Sequence, residues 1–357
     1  MIVRSGRRHS RKLLLSALAT ALATITFIAS IVVGAGTAQA AASFPCDIYG
    51  AAGTPCVAAQ STVRALYAAY NGPLYQVTRA SDNATHDIGV LAAGGIANAA
   101  AQDSFCANTR CTITKIYDQS PRHNDLSIEG AGGAGAADVG APADALPVRV
   151  GGHTAYGVEI SAGMGYRNDA TSGVAVNAQP EGMYMVTSGT HVNGSCCFDY
   201  GNAEVNNRDN GNGHMDAINF GTECWFSPCY GKGPWVEADM ENGLFQSDTG
   251  GSQNTSNTGN SAPFVTALLK NNGQNYFALK NGNAQSGGLS TQYAGPEPTS
   301  GGYSPMHQEG AIVLGTGGDN SNGSIGSFFE GVMTAGIPSD AADNAVQANI
   351  VSTGYGG

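Results

Sequence analysis

The sequence predicts an all-β protein, an antiparallel sandwich or barrel with a few short helices. Short apolar runs alternate with clusters such as Asn271-Asn272-Gly273 and Asn281-Gly282, a pattern typical of strands joined by tight turns. Glycine provides 51 of the 357 residues, about twice its usual share. Only 12% of the residues are charged, and helical signals are few. These observations exclude a coiled coil, a helical repeat array and a charge-driven disordered chain.

The clearest strand signals lie in six short segments that are rich in β-branched or aromatic residues and bounded by turn residues. They are residues 112–117, 183–187, 265–269, 276–280, 311–314 and 328–334. Three Ala-rich segments predict helices, at residues 61–70, 96–105 and 339–352. Two stretches rich in small or polar residues, 130–143 and 246–263, have strand signals on both sides. We therefore interpret them as loops within one domain and not as domain linkers.

The first forty residues have the three parts of a secretory signal: a basic start, an apolar run over residues 13–33 and the small-residue stop Ala38-Gln39-Ala40. An uncleaved membrane anchor is the alternative, because the run is just long enough to span a bilayer. The hydroxyl residues within the run and the Ala-x-Ala ending favour cleavage. The Arg7-Arg8 pair leaves the twin-arginine route open beside the general one. We expect residues 41–357 to be a secreted, extracellular domain that is free of the membrane after cleavage.

The charge balance of residues 41–357 is strongly acidic. Removal of residues 1–40 takes away five of the 16 basic residues and none of the 27 acidic ones, which leaves a formal charge of −16. A surface that acidic repels phosphate, so nucleic acid is not expected as a partner.

All eight cysteines follow the predicted signal, and an even number in an exported chain points to disulfides. Their order indicates local pairs, which are Cys46 with Cys56, Cys106 with Cys111, Cys196 with Cys197, and Cys224 with Cys229. Free thiols and a metal site are the competing interpretations. The spacings match no zinc pattern, and the sequence holds no dinucleotide fingerprint, so we expect neither a metal nor a cofactor.

The segment GPWVEADMENGLF, residues 233–245, is the most informative for chemistry. If it forms a strand, alternate residues share a face. One face then carries Trp235, Glu237, Asp239 and Glu241, and the other carries Val236, Ala238 and Met240. Like charges along one face destabilise a strand, so stability alone does not account for the arrangement. A solvated strand face in an acidic protein is the alternative. Paired carboxylates beside an aromatic ring are what glycoside hydrolysis requires.

A second candidate is Asp319, in the segment GTGGDNSNG that directly follows the apolar run Ala311–Leu314. Its small neighbours allow a ligand to approach the backbone closely. The alternative is an ordinary turn Asp that caps Asn320 or Ser321.

Long strings of this sequence resemble the catalytic domain of the α-L-arabinofuranosidase B family, which is family 54 of the glycoside hydrolases. The strings are CDIYGAAGTPC, RALYAAYNGPLYQVTR, IYDQS, EGMY, CCFDYGNAE, GNGHM, GPWVEADMENGLF, GGDNSNG and EGVMTAGIPSDA. The resemblance runs from Cys46 to the C-terminus. It implies a β-sandwich of the jelly-roll, concanavalin-like type. It also implies hydrolysis of terminal arabinofuranose from arabinan or arabinoxylan, with retention at the anomeric carbon.

The resemblance also implies roles for individual residues. Glu241 matches the family's nucleophile and Asp319 its general acid/base. Cys196 and Cys197 match a vicinal disulfide that packs against the furanose ring. Four further positions match residues that line the same pocket, namely Trp225, Asp239, Asn242 and Gly318. The bridges Cys46–Cys56 and Cys106–Cys111 have counterparts in the family as well.

Three features depart from the family pattern. Cys224 and Cys229 form an additional pair flanking Trp225, and Gly243 stands where a second Asn can occur. Family members often continue into a β-trefoil arabinose-binding module, whereas this chain ends at Gly357. We expect the absence of that module to weaken binding to insoluble polymer.

Three other hypotheses stay open at this stage. Glu237 and Glu241 form an alternative catalytic pair, as in sandwich glucanases with an E-x-D-x-E strand. A lectin-like module that binds arabinose without cleaving it uses the same aromatic and amide residues, and a structural cell-surface protein has no pocket at all. The expected partners are arabinose-containing plant polysaccharides and oligosaccharides, and the expected oligomeric state is a monomer.

Overall fold

Two antiparallel sheets form the framework of the chain that the computed structural model describes, which is residues 44–225, 228–248 and 253–357. The predicted secretion signal therefore lies outside the described residues. The first sheet has eight strands: β1 (Cys56–Ser61), β6 (Leu146–Val150), β7 (His153–Ile160), β9 (Glu181–Thr187), β14 (Val265–Asn271), β15 (Phe277–Asn283), β16 (Ser286–Gly295) and β18 (Gly326–Ala335). Their order is β16-β15-β14-β9-β18-β7-β6, and β1 also pairs with β18.

The second sheet has ten strands: β2 (Pro73–Arg79), β3 (Thr85–Gly89), β4 (Cys111–Ile116), β5 (Leu126–Ile128), β8 (Tyr166–Asn168), β10 (Asp199–Ala203), β11 (Asp216–Gly221), β12 (Trp235–Asp239), β13 (Leu244–Phe245) and β17 (Ala311–Leu314). Their order is β13-β12-β11-β10-β17-β8-β5-β4-β2-β3. Tyr200 of β10 and Phe328 of β18 are fully buried, with ring centroids 5.4 Å apart. The two sheets therefore pack face to face, which confirms the predicted β-sandwich.

Within the described residues, three α-helices accompany the sheets: α1 (Pro45–Ala51), α2 (Ala99–Phe105) and α3 (Asp340–Ser352). The predicted C-terminal helix is confirmed as α3, whose first turn is capped by the Ser339 hydroxyl. The second predicted helix is shorter than expected and begins at Ala99, and α1 was not predicted. Among the residues that the structure describes, no helix is long and apolar enough to cross a membrane.

The predicted helix over residues 61–70 is wrong, because local hydrogen bonds turn the chain there. The Ser61 hydroxyl accepts the backbone N–H groups of Val63 and Arg64, each at 3.1 Å. Such side-chain bonds compete with helix formation. The Arg64 guanidinium is buried and pairs with Glu330 of β18, with Nη2 2.7 Å from Oε1. This ion pair fixes the segment to the first sheet.

The eight cysteines pair as their order predicts: Cys46–Cys56, Cys106–Cys111, Cys196–Cys197 and Cys224–Cys229. A cis peptide bond joins Cys196 to Cys197. Because each bridge joins cysteines that are close in the sequence, each disulfide constrains a single local loop.

Buried carboxyl groups lie between the sheets. Glu181 of β9 accepts a hydrogen bond from Asn202 of β10 at 3.2 Å, and Asp216 of β11 accepts one from Asn271 of β14. Burial raises the pKa of Asp216 to about 7. Burial, followed by the charge of Asp216, raises the pKa of Glu297 to about 8. The folded protein therefore holds protons that the unfolded chain releases above about pH 4.

We expect the stability to fall as the pH rises. A carboxyl whose pKa is raised on folding contributes stability that is complete below its unfolded pKa and is lost as the pH passes through the folded value. The midpoint of thermal unfolding should therefore drop by about 5 °C or more between pH 5 and pH 8. The lysine partners of Asp340 lower its pKa to about 2. Asp340 therefore titrates below this pH interval and does not offset the loss of stability.

Calorimetry across pH 5 to 8 checks this expectation, with Glu297→Gln as the companion variant. The amide stays neutral, so the variant should lose less stability over the same interval. A midpoint that rises toward pH 8 in the unsubstituted chain, or an identical slope in the variant, would show that these buried carboxyls are not the cause.

Candidate active site

One cavity beside the second sheet brings together every residue to which the family resemblance assigns a site role. Its volume is about 230 Å³, somewhat below the roughly 300–1,000 Å³ of sites for drug-sized ligands. It is therefore suited to a single sugar unit. The lining residues are Cys196, Cys197, Asp209, Trp225, Asp239, Glu241, Asn242, Gly243, Leu244, Gly317, Gly318, Asp319 and Ser321.

Glu241 lies on a hairpin turn and not on a continuous strand, which corrects the sequence-based expectation. β12 ends at Asp239, and Asp239 pairs with Leu244 of β13. The connection has φ of 62° at Glu241 and 56° at Asn242, the positive values of a two-residue type I′ hairpin turn. The Asp239 carboxylate helps to end the strand, because its Oδ1 accepts the Glu241 N–H at 3.1 Å.

The left-handed backbone at Glu241 is unusual for this residue type. Type I′ turns strongly favour Asn and Gly, because a side chain at positive φ crowds the backbone. Asn242 fits that preference, whereas Glu241 does not. A non-Gly residue held in this region persists only where its surroundings fix it, and such residues cluster at functional sites.

The other strand residues of the predicted polar face are buried and do not form an open surface. Trp235 is 5% exposed and Glu237 is 1% exposed. Glu237 accepts a hydrogen bond from Gln246 Nε2 at 2.8 Å and is not among the residues that line the cavity. The interpretation of a solvated strand face is therefore wrong. The placement of Glu237 also gives no support to the alternative catalytic pair of Glu237 and Glu241.

Asp319 follows β17 and faces the same cavity from a different loop. Its Oδ1 accepts the backbone N–H of Ser321 at 3.0 Å and the Ser321 hydroxyl at 2.5 Å. Asp319 is thus a turn-capping residue and a cavity-lining residue at once. The Gly-rich loop of residues 130–143 packs over it, and the Ala134 N–H donates to the Asp319 carbonyl at 2.9 Å.

Several carboxyl groups share the floor of the cavity. Burial raises the pKa of Asp239 to about 7. Burial, followed by the charges of Asp239 and Glu204, raises the pKa of Glu241. Like charges this close cannot all ionise together, so the free site keeps protons near neutral pH.

Sequence reasoning assigned no role to two buried residues that support this floor, Glu204 and Arg167. Arg167 Nη1 donates to the Gly318 carbonyl at 2.8 Å, and its Nη2 donates to the Glu204 carbonyl. A Cβ at Gly318 would overlap Glu204 Oε2, so a larger residue there would have to displace the Glu204 carboxyl group. Only the folded chain brings these positions together.

The wall of the cavity is formed by sulfur and an aromatic ring. Cys197 Sγ lies 3.5 Å from Asp239 Oδ2. Trp225 is 55% exposed and lies at the cavity, within the loop that the Cys224–Cys229 bridge closes. Uncharged, polarisable surfaces of this kind suit the C–H faces of a sugar. Gly243 also lines the cavity, and a Cβ there would overlap the Phe245 ring, so a larger residue would have to displace that ring.

Two groups of described residues are close enough to hold a cation. The ligand atoms of Glu204, Asp209 and Glu241 lie within 4.8 Å of one another, as do those of Cys196, Cys197 and Asp239. The second group offers disulfide sulfurs, whereas metals bind thiolates. Carboxylates of the first group serve sugar hydroxyls equally well. The expectation of no metal stays a prediction.

A β-sandwich with two carboxyl-bearing loops facing one monosaccharide-sized cavity has the architecture of a glycoside hydrolase. The family model "Alpha-L-arabinofuranosidase B, catalytic" matches residues 45–356. The chain therefore belongs to the α-L-arabinofuranosidase B catalytic family, family 54 of the glycoside hydrolases, as its sequence strings indicate.

Individual relatives agree with this assignment. The chain is 57% identical to a probable α-L-arabinofuranosidase B of Aspergillus terreus, over 91% of this chain and 64% of that protein. It is 55% identical to an α-L-arabinofuranosidase of Hypocrea jecorina, over 94% of this chain and 67% of that one. The chain spans about 62 to 64% of the length of the first curated relatives that it matches.

Solved structures of the family share the fold. A Glu-to-Gln mutant of a family 54 α-L-arabinofuranosidase, soaked with 4-nitrophenyl α-L-arabinofuranoside, has a TM-score of 0.85 and 51% identity, over 87% of this chain and 66% of that one. An arabinofuranosidase complexed with arabinofuranosyl-α-1,2-xylobiose has a TM-score of 0.84 and 50% identity, over 87% of this chain and 65% of that one.

Proposed function

We propose that this chain is a retaining, exo-acting α-L-arabinofuranosidase that releases terminal arabinofuranose from arabinan and arabinoxylan. The observation that carries the proposal is the presence of Glu241 and Asp319, from two separate loops, in one cavity of monosaccharide size. The family relatives named for this activity, and the family structures with arabinofuranosyl ligands, support the same substrate class.

The proposed reaction has two displacements at the anomeric carbon, C1. In the first, a carboxylate oxygen of Glu241 attacks C1, and the bond from C1 to the glycosidic oxygen breaks. The departing oxygen keeps the electron pair and takes a proton from Asp319. In the second, water attacks C1 and gives a proton to the Asp319 carboxylate, while the ester bond to Glu241 breaks. Such a mechanism requires carboxyl groups about 5–5.5 Å apart.

The remaining lining residues hold the sugar in this proposal. The Cys196–Cys197 disulfide forms a flat wall for the furanose ring, and Trp225 covers it from the cavity mouth. Asp239 and Asn242 bind hydroxyl groups, as carboxylate and amide groups do in sugar sites. Asn242 Nδ2 is already oriented by a 2.9 Å hydrogen bond to Asp209 Oδ1.

Incubation of the chain with arabinoxylan and with 4-nitrophenyl α-L-arabinofuranoside tests the proposal, with chromatography of the released sugars. We expect free arabinose as the sugar product from both substrates. A non-catalytic, lectin-like module would bind arabinoxylan and release nothing. Oligosaccharides without free arabinose would instead indicate cleavage within the main chain, and either of these results would reject the exo-acting assignment.

We also propose that the protein is exported and acts outside the cell on plant cell-wall polysaccharides. The Arg-rich, apolar leader and the pairing of all eight cysteines support this location. Detection of the protein in the culture medium, with an N-terminus near residue 41, tests it. Retention in the cell membrane with the leader intact would contradict it.

A further inference from the structure

We infer that Tyr303 is a positioning residue for the turn that carries Glu241, an inference that rests on the proposed function. Tyr303 follows a short 3₁₀ helix, Ser300–Gly302, and lies about sixty residues from Glu241 in the chain. Its hydroxyl oxygen lies 2.6 Å from the Met240 carbonyl oxygen and 2.6 Å from the Glu241 carbonyl oxygen. A single side chain thus binds the two peptide groups on either side of the Glu241 Cα atom.

The Tyr303 hydroxyl keeps its proton at neutral pH and therefore remains a hydrogen-bond donor there. Burial, followed by the charge of Asp239, raises the pKa of this hydroxyl above its ordinary value. The hydroxyl proton is shared between the two carbonyl groups, and the oxygen accepts the Gly213 N–H at 3.1 Å. All the hydrogen-bonding capacity of this group is therefore directed at the backbone around the turn.

The turn needs such a support because Glu241 is at a positive φ. A non-Gly residue in this region is strained, so the surrounding structure must hold it there. The carbonyl groups of Met240 and Glu241 define the planes of the two peptides that flank this region. When those planes are fixed, the direction of the Glu241 Cα–Cβ bond, and hence the reach of its carboxyl group, is fixed as well.

The support itself is tightly packed. Gly213 N–H also donates to the Met240 carbonyl at 2.7 Å, and the His307 N–H donates to the Gly213 carbonyl at 2.7 Å. A Cβ at Gly213 would overlap Ser304 O and Pro305 Cα. The Tyr303 ring packs edge-on against Phe245 with centroids 4.7 Å apart. The hydroxyl therefore cannot move away from the turn without displacing two backbone segments.

Tyr303→Phe removes the hydroxyl and retains the ring against Phe245. Without its support, we expect the Glu241 carboxyl to be displaced from its line of attack on C1. A displacement of about 1 Å at a reacting group can reduce the rate about 100-fold. The expected loss is therefore about 10- to 100-fold in kcat, on a substrate with a poor leaving group for which the attack by Glu241 limits the rate. The inhibition constant for arabinose should stay within about threefold, because the disulfide wall and the Asp319 loop are unchanged.

Tyr166→Phe is the matched control. The Tyr166 hydroxyl is buried, donates to the Ile113 carbonyl at 2.9 Å and accepts the Ala141 N–H at 2.8 Å, so it has the same kind of backbone partners away from the cavity. We expect this variant to lose thermal stability at least as much as Tyr303→Phe while it keeps at least half of the wild-type kcat. A kcat for Tyr303→Phe within twofold of wild type would overturn the inference. The inference would also be overturned if both variants lost kcat in the same proportion to their loss of thermal stability.

A crystal structure of Tyr303→Phe gives a readout that does not depend on activity. The inference predicts that φ at Glu241 changes or that its carboxyl is displaced. An unchanged turn would overturn the inference even if activity fell. A wild-type chain that releases no arabinose would instead reject the proposed function, and the crystal structure would still decide whether Tyr303 fixes the turn.

Discussion

Replacement of Glu241 by Gln should reduce the kcat for arabinose release by at least about 10⁴-fold, because the amide cannot form the ester intermediate. The substitution keeps the size of the side chain and its position on the hairpin turn. The fold and the binding of arabinose should therefore be retained. Steady-state kinetics with an aryl arabinofuranoside, together with a thermal unfolding curve, measure both quantities.

Glu237→Gln is the control for this experiment. Glu237 lies two residues before Asp239 on the same strand but is buried against Gln246 and does not line the cavity. Its substitution should leave kcat within about threefold of wild type. A loss comparable to that of Glu241→Gln would instead favour the in-strand pair of Glu237 and Glu241. Full activity in Glu241→Gln would exclude Glu241 as the nucleophile.

The Asp319→Asn variant should lose activity in a way that depends on the leaving group. General acid catalysis contributes about 10²- to 10⁴-fold. When arabinose is released from arabinoxylan, the leaving group is a hydroxyl group of xylan, which needs a proton to depart. The rate of this release should therefore fall by that factor. An acidic nitrophenol departs without help, so formation of the glycosyl-enzyme from its arabinoside should be much less affected. The Asn side chain still accepts the Ser321 hydrogen bonds, so the loop should keep its conformation.

Azide separates the role of Asp319 from that of a residue that only binds substrate. The second displacement normally needs a base for water, whereas azide needs none. Azide should therefore accelerate turnover of the aryl substrate by Asp319→Asn and give an arabinosyl azide of retained α-configuration. Equal losses on both substrates without azide rescue would show that Asp319 is not the acid/base.

The strands were predictable where the sequence carries short apolar runs between turn residues. Residues 311–314 form a strand with the predicted bounds, because four apolar residues are followed directly by the glycines of the next turn. Residues 61–70 have the composition of a helix. Their conformation is decided by a Ser61 hydroxyl turn and by the contact of Arg64 with Glu330, a residue more than 250 positions away. Local propensity cannot encode such a contact.

The cavity was predictable in its residues but not in its geometry. The family strings identify Glu241, Asp319 and the vicinal cysteines, and these line one cavity. Alternation along the strand placed Glu241 on a flat face, whereas the chain turns back after Asp239. The turn depends on the Asp239 carboxylate and on Tyr303. The Asp239 contact is local in sequence, but that of Tyr303 arises from the packing of a distant segment.

Trapping of the covalent intermediate tests the roles of Glu241 and Asp319 most directly. In Asp319→Asn, the aryl substrate should form the glycosyl-enzyme faster than water can release it. After acid quenching and proteolysis, mass spectrometry should locate one pentosyl group on the peptide that contains Glu241. An adduct on any other residue would contradict the assignment of Glu241. Release of inverted arabinose from the wild-type chain, without any adduct in the variant, would contradict the double displacement itself.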